Sequence, residues 1–245
     1  MKIKVISFSQ NHISFICLRL NIISLLIIDS LCSMNTKYLE ETYYYDYNST
    51  QIQNLIKGAR HLTSNQEKIE NLYLKVRDSW RYSPFEIGLT EKHYKASTIA
   101  EKQQAHCIDK AILLIAGLRA VNIPARLRLA KVSNHIATER LEAKLGTNEL
   151  APHGLVDVFL NGQWKKCSPA FNKELCVMYN VDVLNFDGTE DSVLQEYNKD
   201  SDKFMTYLED YGHFEDVPLD YIKSIFKDNY PELYKTYLGA KNISF

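Results

Sequence analysis

The chain has 245 residues, 45% hydrophobic and 24% charged, enough for a single core. A formal net charge of −1, with no basic cluster interleaved with aromatics, argues against nucleic acid as a partner. Five cysteines at irregular spacings, without a C-x-x-C pair, argue against a disulfide framework and a zinc ribbon and predict free thiols.

Residues 1–33 stand apart. Lys2 and Lys4 precede an apolar stretch from Ile13 to Leu31 that Arg19, Asn21 and Asp29 interrupt. Two readings are open: a poor signal or anchor, implying export, or an extension upstream of a start at Met34, implying a cytoplasmic protein without membrane contact. The second is preferred because the polar globular pattern begins at Asn35. Residues 34–245 are then read as one domain. Tyr38 to Tyr47 is aromatic-rich and reads as a strand. Two amphipathic helices follow, one from Ser49 or Thr50 to about Leu62 and one opened by the capping box Ser64–Glu67. Arg81 to Lys95 reads as a loop, and Thr98–Glu101 as a second capping box on a single helical turn.

From Cys107 the pattern becomes a helix apolar on nearly every side, ending at Asn122 and Pro124. Its first turn carries Cys107, where unpaired N–H groups and the helix dipole bias a thiol toward thiolate and can hold an oxyanion. No Ser, Thr, Asp or Asn precedes the helix, so those donors are expected to be free, and the neighbouring His106 is expected to point away. Gln103 and Gln104 are candidate oxyanion donors, by analogy with the glutamine of papain-type enzymes. Arg126 to Val132 alternates as a strand, and Ser133 to Leu150 is a polar excursion in which His135 faces solvent.

A hairpin comes next, with strands 153–160 and 163–168 around Asn161-Gly162. Pairing Leu160 with Gln163 puts His153, Leu155 and Ser168 on one face, with Ser168 diagonal to His153. A helix-borne cysteine followed by a strand histidine is a Cys–His layout for nucleophilic catalysis. After Asn172 only helices from about Pro218 and from Pro231 are legible. The acidic group Asp187, Glu190 and Asp191 lacks the spacing of a calcium loop, and a solvated turn is expected there.

HCIDKAILLIAGLRAVNIPAR and HGLVDVFLNGQWKKCSP together resemble the transglutaminase-like superfamily over about residues 70–172. The resemblance implies an α+β papain-like core, a buried Cys-bearing helix packed on an antiparallel sheet, with extra N- and C-terminal helices. It also implies Cys107 as nucleophile and His153 as base. The acidic third residue of the family falls on Ser168, and Ala105-His106-Cys107 stands where Gly-x-Cys is common. Bacterial members carry a small hydroxyl residue there before P-A-F-N, as Pro169 to Asn172 do here, which keeps Asn172 as the alternative third member. The expected activity is acyl transfer through a thioester, with hydrolysis of a peptide or other amide, no cofactor and no metal. The competing expectations are an inactive scaffold that kept the fold, a cross-linking transglutaminase, and a metal site of Cys107 with His106, His135 or His153.

Overall fold

The structure is a computed structural model that describes residues 36–239 apart from residue 137. The readings of residues 1–33 therefore lie outside the described residues. The chain runs α1 (Thr50–Leu55), a 3-10 turn (Ala59–His61), α2 (Asn65–Ser79), β1 (Arg81–Tyr82), α3 (Ala96–Ala100), β2 (Gln104–Ala105) and α4 (Cys107–Ala120). It continues with β3 (Ala125–Asn134), α5 (Thr138–Leu145), β4 (Glu149–Leu160), β5 (Gln163–Cys167), α6 (Lys173–Met178), β6 (Met205–Phe214), α7 (Leu219–Asn229) and α8 (Pro231–Gly239). None of these helices is long and apolar enough to cross a membrane.

The α+β architecture is the expected one. Four antiparallel strands in the order β5-β4-β3-β6 form the sheet. Helix α4 is buried from Cys107 to Arg119 and packs on β3 and β4, with α1, α2 and α3 closing around it. Its all-round apolarity has a simple cause: a helix in the middle of the molecule has no solvent face. Asn122 ends it in the left-handed conformation (φ 63°), and the Ile123 N–H returns to the Leu118 carbonyl at 2.9 Å. Arg119, otherwise a buried charge, donates to the carbonyls of Ala125, Glu40 and Glu215 and stacks 4.3 Å from the Tyr45 ring centroid.

The hairpin register is the one expected, from Leu160 opposite Gln163 to Val156 opposite Cys167. Asn161 and Gly162 both have positive φ, 51° and 82°, as a two-residue turn of matching twist requires. Arg126 and Arg128 leave β3 on the face away from α4. There they hold the buried Asp157 carboxylate at 3.0 and 2.8 Å, and Arg128 also reaches Asp210.

Several expectations are corrected. Residues 38–47 form turns and bends rather than a strand, with Tyr38 packed edge-on to Trp164, its carbonyl accepting from the Ala125 N–H of β3 at 3.1 Å, and Tyr45 buried. The first helix stops at Leu55 and resumes as a 3-10 turn. Thr98–Glu101 is no capping box: α3 starts at Ala96 with Lys95 before it. Arg81 and Tyr82, placed in a loop by sequence, pair in parallel with Gln104 and Ala105. Strand β6 is absent from the sequence reading because it is an edge strand with four consecutive exposed residues, without the period-two apolar pattern that marks a strand with one buried face.

Candidate functional site

Strand β4 extends past the end of β5: the two pair only from Val156 onward. The Gly154 N–H is thereby left without a strand partner, and it donates to Cys107 Sγ at 3.3 Å. Helix and strand can meet this closely because residue 154 is glycine; a Cβ there would lie 2.6 Å from Ile108 Cα and 2.8 Å from Ile108 N. These are backbone atoms, which cannot move aside as a side chain does. Gly154 thus fixes the sulfur at the edge of the strand next to His153.

The helix N-terminus is capped after all. The His106 ring accepts from Ile108 N–H and the Asp109 carboxylate accepts from His106 N–H, a capping box in which imidazole does the work of an Asn or Ser side chain. His106 therefore does not point away: its Nδ1 lies 3.4 Å from Cys107 Sγ. Asp109, fully buried, is held by Lys102 at 3.1 Å and faces His93 at 3.2 Å, which keeps its carboxyl below the usual range despite burial.

Complete burial dominates the ionisation of the site. It pushes the Cys107 thiol up to about 12, against the Gly154 and Ile108 N–H groups that favour thiolate. Burial likewise pushes His106 down to about 4, against the Asp109 carboxylate that favours its charged form, and pushes His153 down to about 3, with the His106 imidazole adding to that shift. The expected thiolate bias is thus overridden in this closed arrangement, where thiol and imidazoles are all neutral.

Successive strand residues point to opposite faces, so where Gly154 meets Ile108, the His153 ring turns to the other face. There it lines a small cavity with Ser168, Ala170, Phe171, Gln195 and Met205. Among the described residues, no hydrogen bond joins this ring to Cys107 or Ser168, and its Nδ1 has no partner. Ser168 shares the cavity as its register implies, while its backbone carbonyl accepts from Tyr73 Oη at 2.9 Å. Asn172 is committed elsewhere: its Oδ1 accepts from Tyr82 N–H and its Nδ2 donates to Glu174. Gln103 is exposed and Gln104 half-buried on β2, so the structure brings neither side chain to the sulfur by a hydrogen bond. His135 is bonded to Ser133 and Thr206, joining β3 to β6 rather than facing solvent alone. Among the described residues no group of three or more metal-binding side chains is assembled.

Lys110 is the residue that the sequence reading passed over. It is fully buried three positions after Cys107, and its Nζ donates to the carbonyls of Arg77 (2.7 Å), Trp80 (3.0 Å) and Ala170 (2.7 Å). Burial pushes its pKa down to about 7, yet three carbonyls are the surroundings an ammonium needs. The lysine ties the C-terminal end of α2 to the segment that follows Ser168. A lysine inside an otherwise apolar helix pattern was the available signal, since it is a charge where no solvent face exists.

No curated protein matches the sequence. A crystal structure of a Cytophaga hutchinsonii protein, described as a "putative cysteine protease", is similar with a TM-score of 0.43 and 15% identity. The likeness covers 71% of this chain and 63% of that one, so this chain spans less than two thirds of its length. Residues 50–169, which contain Cys107, the helix behind it, the β4–β5 hairpin, His153 and Ser168, match the family model of the transglutaminase-like superfamily. On that match the chain belongs to the transglutaminase-like superfamily.

Proposed function

We propose that the protein is a cysteine-dependent acyl-transfer enzyme whose default reaction is hydrolysis of a peptide or other amide. The observation that carries this reading is the seating of the Cys107 sulfur: first turn of a buried helix, the Gly154 N–H of the strand donating to it beside His153 in the chain, and the His106 imidazole 3.4 Å away. In the proposed sequence His153 takes the thiol proton and the sulfur attacks the amide carbonyl carbon. The C–N bond then breaks as the imidazolium returns the proton to the departing amine, leaving a thioester. Water adds to the thioester with His153 again as base, releasing the acid and restoring the thiol. Water is the default acceptor because it is always present, whereas cross-linking needs a water-poor amine channel.

A second reading of the base is favoured by one distance. His106 Nδ1 lies 3.4 Å from Sγ, whereas His153 makes no hydrogen bond to it. His106 is already used as the helix cap, so His153 is preferred as base. The scaffold alternative draws on Ser168 in place of an acidic residue and on the buried sulfur. Profiling the folded protein against electrophilic peptide and amide libraries, with Cys107→Ala, His153→Gln and His106→Gln in parallel, separates the three. Loss in Cys107→Ala and His153→Gln supports the proposal, loss in His106→Gln alone of the histidines moves the base to His106, and no turnover by any form favours the scaffold.

A further inference from the structure

The cavity behind His153 contains a second orphaned polar atom. Gln195 is buried, and its Nε2 donates to the Asp182 carbonyl at 2.8 Å and approaches Cys176 Sγ at 3.7 Å. A carbonyl accepts only from a donor, so this contact fixes which end of the amide is which. The opposite end, Oε1, has no partner, and neither has His153 Nδ1. Both residues line the same cavity, together with the buried Ser168. Two unsatisfied groups in one buried space are unusual, since buried polar atoms nearly always find a partner. The cavity has room for about one water, and a buried water is held where two to four polar groups converge. The chemistry is compatible: an amide oxygen only accepts, and a water that donates to it can accept in turn from a ring N–H.

We propose that Gln195 is the residue that orients His153, its Oε1 accepting from the His153 Nδ1–H through one bridging water, with the Ser168 hydroxyl as that water's further partner. This rests on the reading of His153 as base. It assigns the positioning role to a side chain 27 positions beyond Ser168 in the sequence, on the segment that covers the cavity. Holding hydrogen on Nδ1 leaves Nε2 with the lone pair, the form in which a neutral imidazole accepts a proton from sulfur. Asn172, the earlier alternative, cannot act in this way while its oxygen is bonded to Tyr82.

The test is long-range ¹H–¹⁵N spectroscopy of the His153 ring in the full chain, combined with turnover of the substrate found by profiling. The wild-type ring is expected in the Nδ1–H form; an Nε2–H ring in the wild type overturns the proposal without any variant. Gln195→Leu removes the acceptor and is expected to mix the tautomers and lower kcat about 10- to 100-fold with KM nearly unchanged, below the roughly 10⁴-fold loss seen when a buried carboxylate is removed from a serine-protease triad. Gln195→Glu, which when buried and protonated keeps both a donor and an acceptor, is expected to retain the Nδ1–H form and most of the activity. A Leu variant whose His153 tautomer is unaltered contradicts the proposal. A Leu variant whose tautomer shifts while turnover holds supports the contact and counts against His153 as base.

Discussion

The two faces of the β4 strand around residue 154 are built on different physics. On the α4 side, contact is set by backbone: Gly154 against the Ile108 main chain, and Lys110 against three carbonyls. On the other side, side chains meet one another, as in the Arg126–Asp157–Arg128 cluster, or leave an atom unpaired, as His153 Nδ1 and Gln195 Oε1 are. A backbone contact cannot relax when one partner changes, whereas side chains can turn or take up water. The helix side should therefore be rigid and intolerant, and the far side adjustable, which suits a base that must change protonation state during turnover.

The largest expected effect comes from Lys110→Met. It leaves three buried carbonyls without a donor and should lower stability by about 4 kcal/mol, measured by urea unfolding. A loss below about 1 kcal/mol would show that the helix side relaxes as readily as the other. Gly154→Ala should follow, at about 3 kcal/mol, because the added methyl meets Ile108 main-chain atoms at 2.6 and 2.8 Å. In that variant Sγ should also lose its Gly154 donor, so turnover should fall further than stability alone explains.

Acid titration examines the far side. His153 and His106 have folded pKa values of about 3 and about 4, below the usual 6.5. In that window the unfolded chain binds more protons, so the stability each neutral ring contributes is present above pH 6.5 and is lost as pH falls toward the folded value. The expected slope is about 1.4 kcal/mol per pH unit for each histidine. His153→Gln should halve the slope between pH 6 and pH 4.5; an unchanged slope would mean that His153 is solvated in the folded protein. The smallest effect is expected for His135→Ala, under about 0.5 kcal/mol, since its bonds to Ser133 and Thr206 lie at an exposed edge.

What the sequence disclosed follows the same division. Helix α4, its Asn122 cap, the Ser64 capping box and the β4–β5 register were all legible, because each is a local pattern with a fixed period or turn chemistry. His106 was misread because an imidazole can cap a helix as an amide does, and propensity favours other residues for that task. The ionisation of Cys107 was misread because its position at a helix end is local, whereas burial by α1, α2 and the sheet is a tertiary property. Strand β6, with half of its residues exposed and no alternation of buried and exposed positions, and Gln195, on an irregular segment, carry no periodic signal at all. Both find their partners only once the sheet and its covering segment exist.

The central claim is that Cys107 carries the acyl group. Incubating the folded protein with amide or activated-ester probes, quenching in acid and mapping the peptides by mass spectrometry tests it directly. The account predicts a single acyl adduct, a thioester released by hydroxylamine, on Cys107 and not on Cys167 or Cys176, formed at least 100-fold more slowly in His153→Gln. Acylation that appears only after unfolding, or equally on all three buried thiols, would contradict it.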